Sequence, residues 1–326
     1  MNYVGRQKLV GLALEATRGV AESVAAKWLK HVDNDIYPRV TKVVDDSHFG
    51  VLEDSQGSRV VQKWLEGTIN GIVHADSIGY LLANIYGSVA TEALGDGVYE
   101  HTFDLLQNIE HPTLSIFVHD SDVDKSVINC GVISSLELSA SVDDYLRFTA
   151  GIVAKEKAAN SDTPSFDAEN DFIGRDVSIQ LADTLEGLDA APVIKAKNFT
   201  ISKDPGVVRD HVLGSQVADG IYNSKMAIEG NFVINHNGTT YEALLTGDTA
   251  KFMKVTIESA AVIGSDDHPS LTYVFHKIQV QDRSRIGGND ELVTEEVGFK
   301  AFYNQTTGKA STAILVNKTA SYATGS

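Results

Sequence analysis

The sequence predicts a mainly β protein with a few short helices, arranged as two related β-rich domains in tandem. Three observations carry this reading. Apolar and polar residues alternate over short runs along most of the 326 residues, which is the period of a strand with one buried face. Few windows repeat apolar side chains at the three- and four-residue spacing of a helix. Short motifs of the first half also return, in the same order, in the second.

The elements follow in chain order. Residues 1–36 are expected to form an N-terminal arm, with helical spacing over Ala21–Leu29. The first domain, 37–157, carries a long polar loop from Asp45 to Ser58. Next comes a helix from Ile78 to Tyr86, with Ile78, Leu81, Leu82 and Ile85 on one face, Asp76-Ser77 as its cap and Gly87 as its stop. Alternation marks strands at Leu114–Val118 and Ile133–Leu138. The acidic, polar stretch 158–175, which contains Pro164, reads as a linker. The second domain, 176–326, opens with a strand at Val177–Leu181 and a short helix over Leu181–Leu188. It continues with a strand at Phe199–Ile201, a polar loop from Asp204 to Ser215, and a helix from Thr239 or Thr240 through Tyr241, Leu244 and Leu245 to Gly247. Strands are then expected at Phe252–Ile257, Leu271–Phe275, Ile278–Val280, Val297–Tyr303 and Ala313–Val316.

The repetition is specific. Gly57-Ser58-Arg59-Val60 returns as Gly214-Ser215-Gln216-Val217, and His111-Pro112-Thr113-Leu114 as His268-Pro269-Ser270-Leu271, both at a step of 157. Between them Glu66-Gly67 matches Glu229-Gly230. The two polar loops and the two helices fall at corresponding places, and collinear matches of this kind indicate a duplication.

Composition bounds the function. An apolar fraction of 43% with 22% charged residues is that of a folded globular chain. Against 44 acidic residues stand 27 basic ones, a net charge of −17; such a surface does not grip phosphate, although an acidic wall suits a passage that DNA must slide through. No apolar run is long enough to cross a bilayer, and Met1–Leu14 lacks the layout of a secretory signal, so synthesis and retention in a cytoplasm are expected. The single cysteine, Cys130, is expected as a buried free thiol, and the sequons at Asn198, Asn237, Asn304 and Asn317 as chance.

A search for chemistry yields no candidate catalytic, cofactor-binding or metal-ligating residues. Asp120-Ser121-Asp122-Val123-Asp124 begins like a calcium loop, but the required glycine is missing and Gly131 stands where the closing glutamate belongs, so it reads as a solvated turn. The ten histidines show no zinc spacing. No phosphate loop, nucleophile elbow or dinucleotide fingerprint occurs; Gly95-Asp96-Gly97 is a turn. The pairs Asp45-Asp46, Asp143-Asp144 and Asp266-Asp267 read as loop solubility. Trp28, Trp64, Phe117, Phe275, Phe299 and Phe302 are expected in packing.

Laid out in this way, the chain resembles the phage tail tube protein family. The segment Gly11–Ala21, with Glu15 and Gly19, is similar to that family's start. Leu65–Gly71 through to Tyr86-Gly87 resembles its glycine-bearing strand and helix, and Glu296–Tyr303 to Asn317 and Tyr322 its terminal hairpin. The resemblance implies a β-sandwich or barrel with a flanking helix in each domain, and an inner sheet lining a pore. It further implies stacked rings, here trimers imitating a six-fold ring, whose acidic lumen conducts the DNA genome. The implied partners are the chain itself, the tape measure and tail terminator proteins, and DNA passing without specific binding. The implied location is the virion tail after assembly in the host cytoplasm. In that setting the two polar loops are candidates for contact between rings, through Asp45, Asp46, Glu53, Asp54 and Arg59 in the first and Asp204, Arg209 and Asp210 in the second. The alternatives are another ring-forming tail or secretion component (a tail terminator, a hub or a secretion tube), or an acidic β-rich carbohydrate-binding protein or hydrolase.

Overall fold

The computed structural model describes residues 4–322. The first half opens with β1 (Leu9–Leu14), β2 (Lys27–Leu29), β3 (His31–Asn34) and β4 (Tyr37–Asp45), and β5 (Gly57–Ile72) runs back antiparallel to β3 and β4. Then come α1 (Ile78–Tyr86), the hairpin of β6 (Gly87–Gly95) and β7 (Val98–Leu105), and β8 (Leu114–His119). The half closes with β9 (Lys125–Ser141), β10 (Arg147–Ala154) and the short β11 (Lys157–Ala159).

The second half comprises β12 (Val177–Ala182), β13 (Val193–Ile194), β14 (Ala196–Asp204), β15 (Val207–Asp210), β16 (Gly220–Asn223) and β17 (Ala227–Asn235). It ends with α2 (Thr240–Thr246), β18 (Lys251–Glu258), β19 (Ser270–Ile286), β20 (Thr294–Ala301) and β21 (Ser311–Asn317).

Strand pairing puts the same order in both halves. Hydrogen bonding runs β1–β8–β9–β10–β5–β4 in the first and β12–β18–β19–β20–β17–β14 in the second. Each run bends through one 17-residue strand. The first part of β9 pairs with β8 and the second with β10; β19 likewise passes from β18 to β20. β9 turns at a bulge where Cys130 takes φ +53, and irregular register of this kind redirects a strand from one layer to another. Each half is therefore a β-sandwich whose layers share one long strand.

The Glu-Gly pair occupies equivalent places: Gly67 sits opposite Ile152 of β10, and Gly230 opposite Phe299 of β20. A methyl group at Gly67 would collide with the Asp35 carbonyl oxygen, and one at Gly230 with that of Thr200. The tetrapeptides do not correspond in this way. His111-Pro112 leads into β8, whereas His268-Pro269 leads into β19, the counterpart of β9 and not of β8. Gly57 opens β5, while Gly214–Val217 lies in a loop that touches β5 itself.

The halves join at two seams. β9 pairs with β14, Leu136 opposite Lys203 and Ser141 opposite Asn198. β21 inserts between β19 and β7, so the last described strand completes a sheet begun in the first half. One apolar core runs through both halves, from Leu12, Leu82 and Leu136 to Phe199, Phe275, Phe299 and Leu315. The segment expected as an N-terminal arm supplies β1, which pairs along its whole length with β8.

Helix α1 is where its apolar face places it, and Gly87 ends it at φ +81, a conformation that costs glycine little. The expected Ser77 cap is replaced: the Ser77 hydroxyl makes no cap bond and instead donates to Glu169, which also accepts the Ser77 amide at 2.9 Å. Helix α2 lies where expected. The other two expected helices are absent. Leu181 is drawn into β12 opposite Met253, and residues 183–191 form turns, with the Gly187 amide on Thr184 Oγ1. Trp28 is drawn into β2 opposite Gly11, and the preceding residues are held by side chains, the Ala25 amide by Asp162 and the Ala16 amide by Glu22. In both places long-range pairing overrides local helical spacing.

Residues 160–176, within and just beyond the expected linker, are a strap on the first half. Phe172 is fully buried, the Leu146 amide donates to its carbonyl, and Ala75 donates to that of Asn170.

Candidate assembly surfaces

The second part of β9 and its neighbours form one continuous antiparallel sheet, β4–β5–β10–β9–β14–β17–β20–β19. One face carries the core. On the other the register aligns polar residues in rows. Asn70, Thr149, Glu137, Ser202, Glu229, Lys300 and Gln279 are successive cross-strand partners. Arg147, Ser139, Thr200, Asn231, Gly298 and Asp282 form a second row beside them. The face therefore presents small and amide side chains with scattered carboxylates. Lys300 is tied to Glu229 at 2.6 Å and Arg147 to Asp144 at 2.6 Å, leaving Glu137, Glu296 and Asp282 on a wall of net negative charge. The alternation in Leu136-Glu137-Leu138-Ser139 and Phe199-Thr200-Ile201-Ser202 held this signal, but only the pairing register shows that the rows line up.

Both lateral edges of this sheet are open. Among the described residues the strand beside β5 is β3 at the level of the polar rows, continuing into β4 at Tyr37 and Pro38, with no further strand paired outside them, and Ile278–Ile286 of β19 pairs on one side with β20 and, apart from Ile278, has no strand on the other. Edges left bare in this way are normally covered or paired with another chain.

Beyond Leu65 the β4–β5 hairpin leaves the sheet and projects by roughly 25 Å, at about 3.3 Å per residue. Every residue of β4 is exposed, and Val43, Val44, Phe49, Val51 and Leu52 all face solvent. Asp45, Asp46, Glu53, Asp54 and Arg59 are all on this hairpin and exposed. Asp45 closes its last register pair with Gly57 and accepts the Ser47 hydroxyl at 2.5 Å, which holds its carboxyl below the usual range.

The other three candidates are not on a matching projection. Asp204 ends β14 and binds the Gly206 amide at 2.7 Å. The β15–β16 hairpin folds back onto the first half: Arg209 lies 3.7 Å above the Trp64 ring, and the Lys63 amide donates to the Gln216 carbonyl at 2.7 Å. The Asn223 amide donates to Ile109 at 3.0 Å, and Arg18 binds the carbonyls of His111 and Ile221. Asp210 is exposed on that hairpin. The structure thus gathers the first five candidates at one tip and turns Arg209 inward as a clamp between halves.

Buried polar groups serve the fold. Glu15 accepts the amides of Gly19 and Cys130 at 2.6 and 2.7 Å and the Thr113 hydroxyl, fixing the first turn against the β9 bulge. Cys130 is buried, and burial pushes its thiol up. Lys203 points from β14 into the core, its ammonium 3.7 Å from the Tyr273 ring and 5.7 Å from that of Tyr86; burial pulls its pKa down to about 7. Among the described residues no group of three or more His, Cys, Asp or Glu side chains is placed to hold a metal ion, and no helix is long and apolar enough to cross a membrane.

A broad polar sheet with open edges and a projecting hairpin defines a structural subunit that works through its surfaces. The chain belongs to the phage tail tube protein family, whose model matches residues 5–301. That family is one of structural tail proteins and not of enzymes, and membership makes this chain a component of the virion tail. No curated protein matches it. Among solved structures it is similar to one titled "Crystal structure of Hcp protein", at 15% identity and a TM-score of 0.27, covering 42% of this chain and 96% of that one.

Proposed function

We propose that this chain is the tube subunit itself, closing into rings through the two open edges of its polar sheet. The carrying observation is strand parity. The sheet has an even number of alternating strands, so β19 of one copy meets the strand that flanks β5 in the next, β3 running into β4, antiparallel, and the alternation continues around a ring. The ring encloses the polar face, and its carboxylates keep the DNA backbone from adhering as the genome passes to the host. Stacking of rings forms the tube, with tape measure and tail terminator proteins at its interior and end, built in the host cytoplasm.

The chain is further read as two copies of one sandwich. In this reading β1 is the counterpart of β12, so the first unit takes in residues of 1–36 as well as 37–157, and the second unit is 176–326, after the linking stretch 158–175. Three chains then supply six sandwiches around the axis.

Electron microscopy of purified protein tests this. Long hollow tubes with three-fold rings are expected. Isolated rings that never stack would favour a terminator or hub, and a persistent monomer would refute ring closure. Deleting Asp45–Gly57 is expected to leave soluble protein that forms no tubes.

A further inference from the structure

At the end of the polar sheet remote from the β4–β5 tip lies a groove of about 240 Å³, lined by Val142, Arg175, Val193, Ile194, Lys195 and Lys197, among others. Register fixes its position. The tip lies beyond Gly57, where β5 begins; Ile72, at the other end of β5, pairs with Arg147, Arg147 with Ser139, and Ser141 with Asn198. The groove therefore opens at the Ser141–Asn198 end. In a chain of net charge −17 a basic rim is out of character. Lys195 and Lys197 make no ion pair among the described residues, and the Arg175 side chain is 75% exposed and pairs with Asp176 at 3.7 Å. Val142 and Val193 add exposed apolar surface between these cations.

We propose that this groove receives the β4–β5 tip of a second copy of the chain, stacked one ring further along the axis. This rests on the tube reading given above. The tip carries what the groove lacks: carboxylates at Asp45, Asp46, Glu53 and Asp54 around exposed Phe49, Val51 and Leu52. The tip and this groove lie at opposite ends of the same sheet, so the contact is heterologous and propagates along an axis instead of closing on itself. Opposite charge fixes the register of the encounter, and apolar burial holds it.

Charge reversal tests the match. A groove variant, Arg175→Glu/Lys195→Glu/Lys197→Glu, faces its own acidic tip with a like charge; a tip variant, Asp45→Lys/Asp46→Lys/Glu53→Lys/Asp54→Lys, does the reverse. Each alone is expected to keep the wild-type circular dichroism spectrum and to need at least about tenfold more protein to form tubes, read by sedimentation and negative-stain microscopy. Mixed in equal amounts, the two are expected to co-assemble near the wild-type concentration, because each groove then meets a tip of opposite sign. Normal tubes from the groove variant alone, or a mixture that fails to assemble, overturn the docking while leaving the tube reading intact. Wild-type protein that forms no tubes overturns both.

Discussion

Replacing Lys203 by Met tests how the two halves are held together. Lys203 is completely buried in the seam between β9 and β14, against the faces of Tyr273 and Tyr86. Its amine has no hydrogen-bond partner among the described residues, and neither has the Tyr273 hydroxyl. Desolvation lowers its pKa from 10.5 to about 7. The folded state thus holds this proton less tightly than the unfolded chain does, and stability must rise with pH between those two values. At about 1.36 kcal/mol per pKa unit, the lysine costs the fold roughly 4 kcal/mol at pH 7 and roughly 2 kcal/mol at pH 9. Methionine fills a similar volume without a charge. Urea titrations of both proteins, kept dilute enough to remain unassembled, should show Lys203→Met to be the more stable at pH 7. The gap should shrink by about 2 kcal/mol by pH 9. The difference between the two proteins cancels every other titrating group. A gap that does not change with pH, or a variant less stable at pH 7, would refute the account of this residue.

Three further outcomes follow from the same packing. Glu15→Ala leaves the buried amides of Gly19 and Cys130 without an acceptor and should cost about 3 kcal/mol in a urea melt; an unchanged midpoint would mean that water replaces the carboxylate. Gly67→Ala and Gly230→Ala, at equivalent places in the two halves, should each lower stability by about 1–3 kcal/mol, because the added methyl meets a backbone carbonyl that cannot withdraw; a loss at only one of them would argue against equivalence. Arg209→Ala removes the cation over Trp64, worth about 1 kcal/mol, and should speed chymotryptic cleavage around Leu213 while the rest of the chain stays protected; equal cleavage rates would show that the backbone bonds alone hold that hairpin.

What could be read in advance was whatever is local. Helix α1 was legible because Ile78, Leu81, Leu82 and Ile85 share a face and Gly87 permits the left-handed stop. Most core strands were legible from alternation, as in β8 and β18. The β4–β5 hairpin was not, because its valines are exposed on both faces and the pattern of one buried face never develops. The helices expected at Ala21–Leu29 and Leu181–Leu188 failed for the opposite reason: Trp28 and Leu181 satisfy a helical pattern locally but are claimed by partners far away in sequence. Of the short sequence matches, Glu66-Gly67 and Glu229-Gly230 fall at equivalent places while the two tetrapeptide pairs do not, since those glycines answer to a steric requirement that both halves share. The polar wall was invisible as a surface, because seven separate strands must be set in register before its rows exist. The groove at Arg175 and Lys195 brings together residues that no spacing rule connects.

The insertion of β21 beside β7 has a temporal side. While the chain is being made, the free edge of β7 waits from Leu105 until Asn317 has emerged, on the order of 10–40 s at bacterial elongation speeds. The same wait applies to His101, whose ring bonds Asn317 and Thr319, and to α1, whose Gly79 leaves room for the ring of Tyr322. A nascent chain that stops short of Asn317 therefore leaves this edge of β7 without β21.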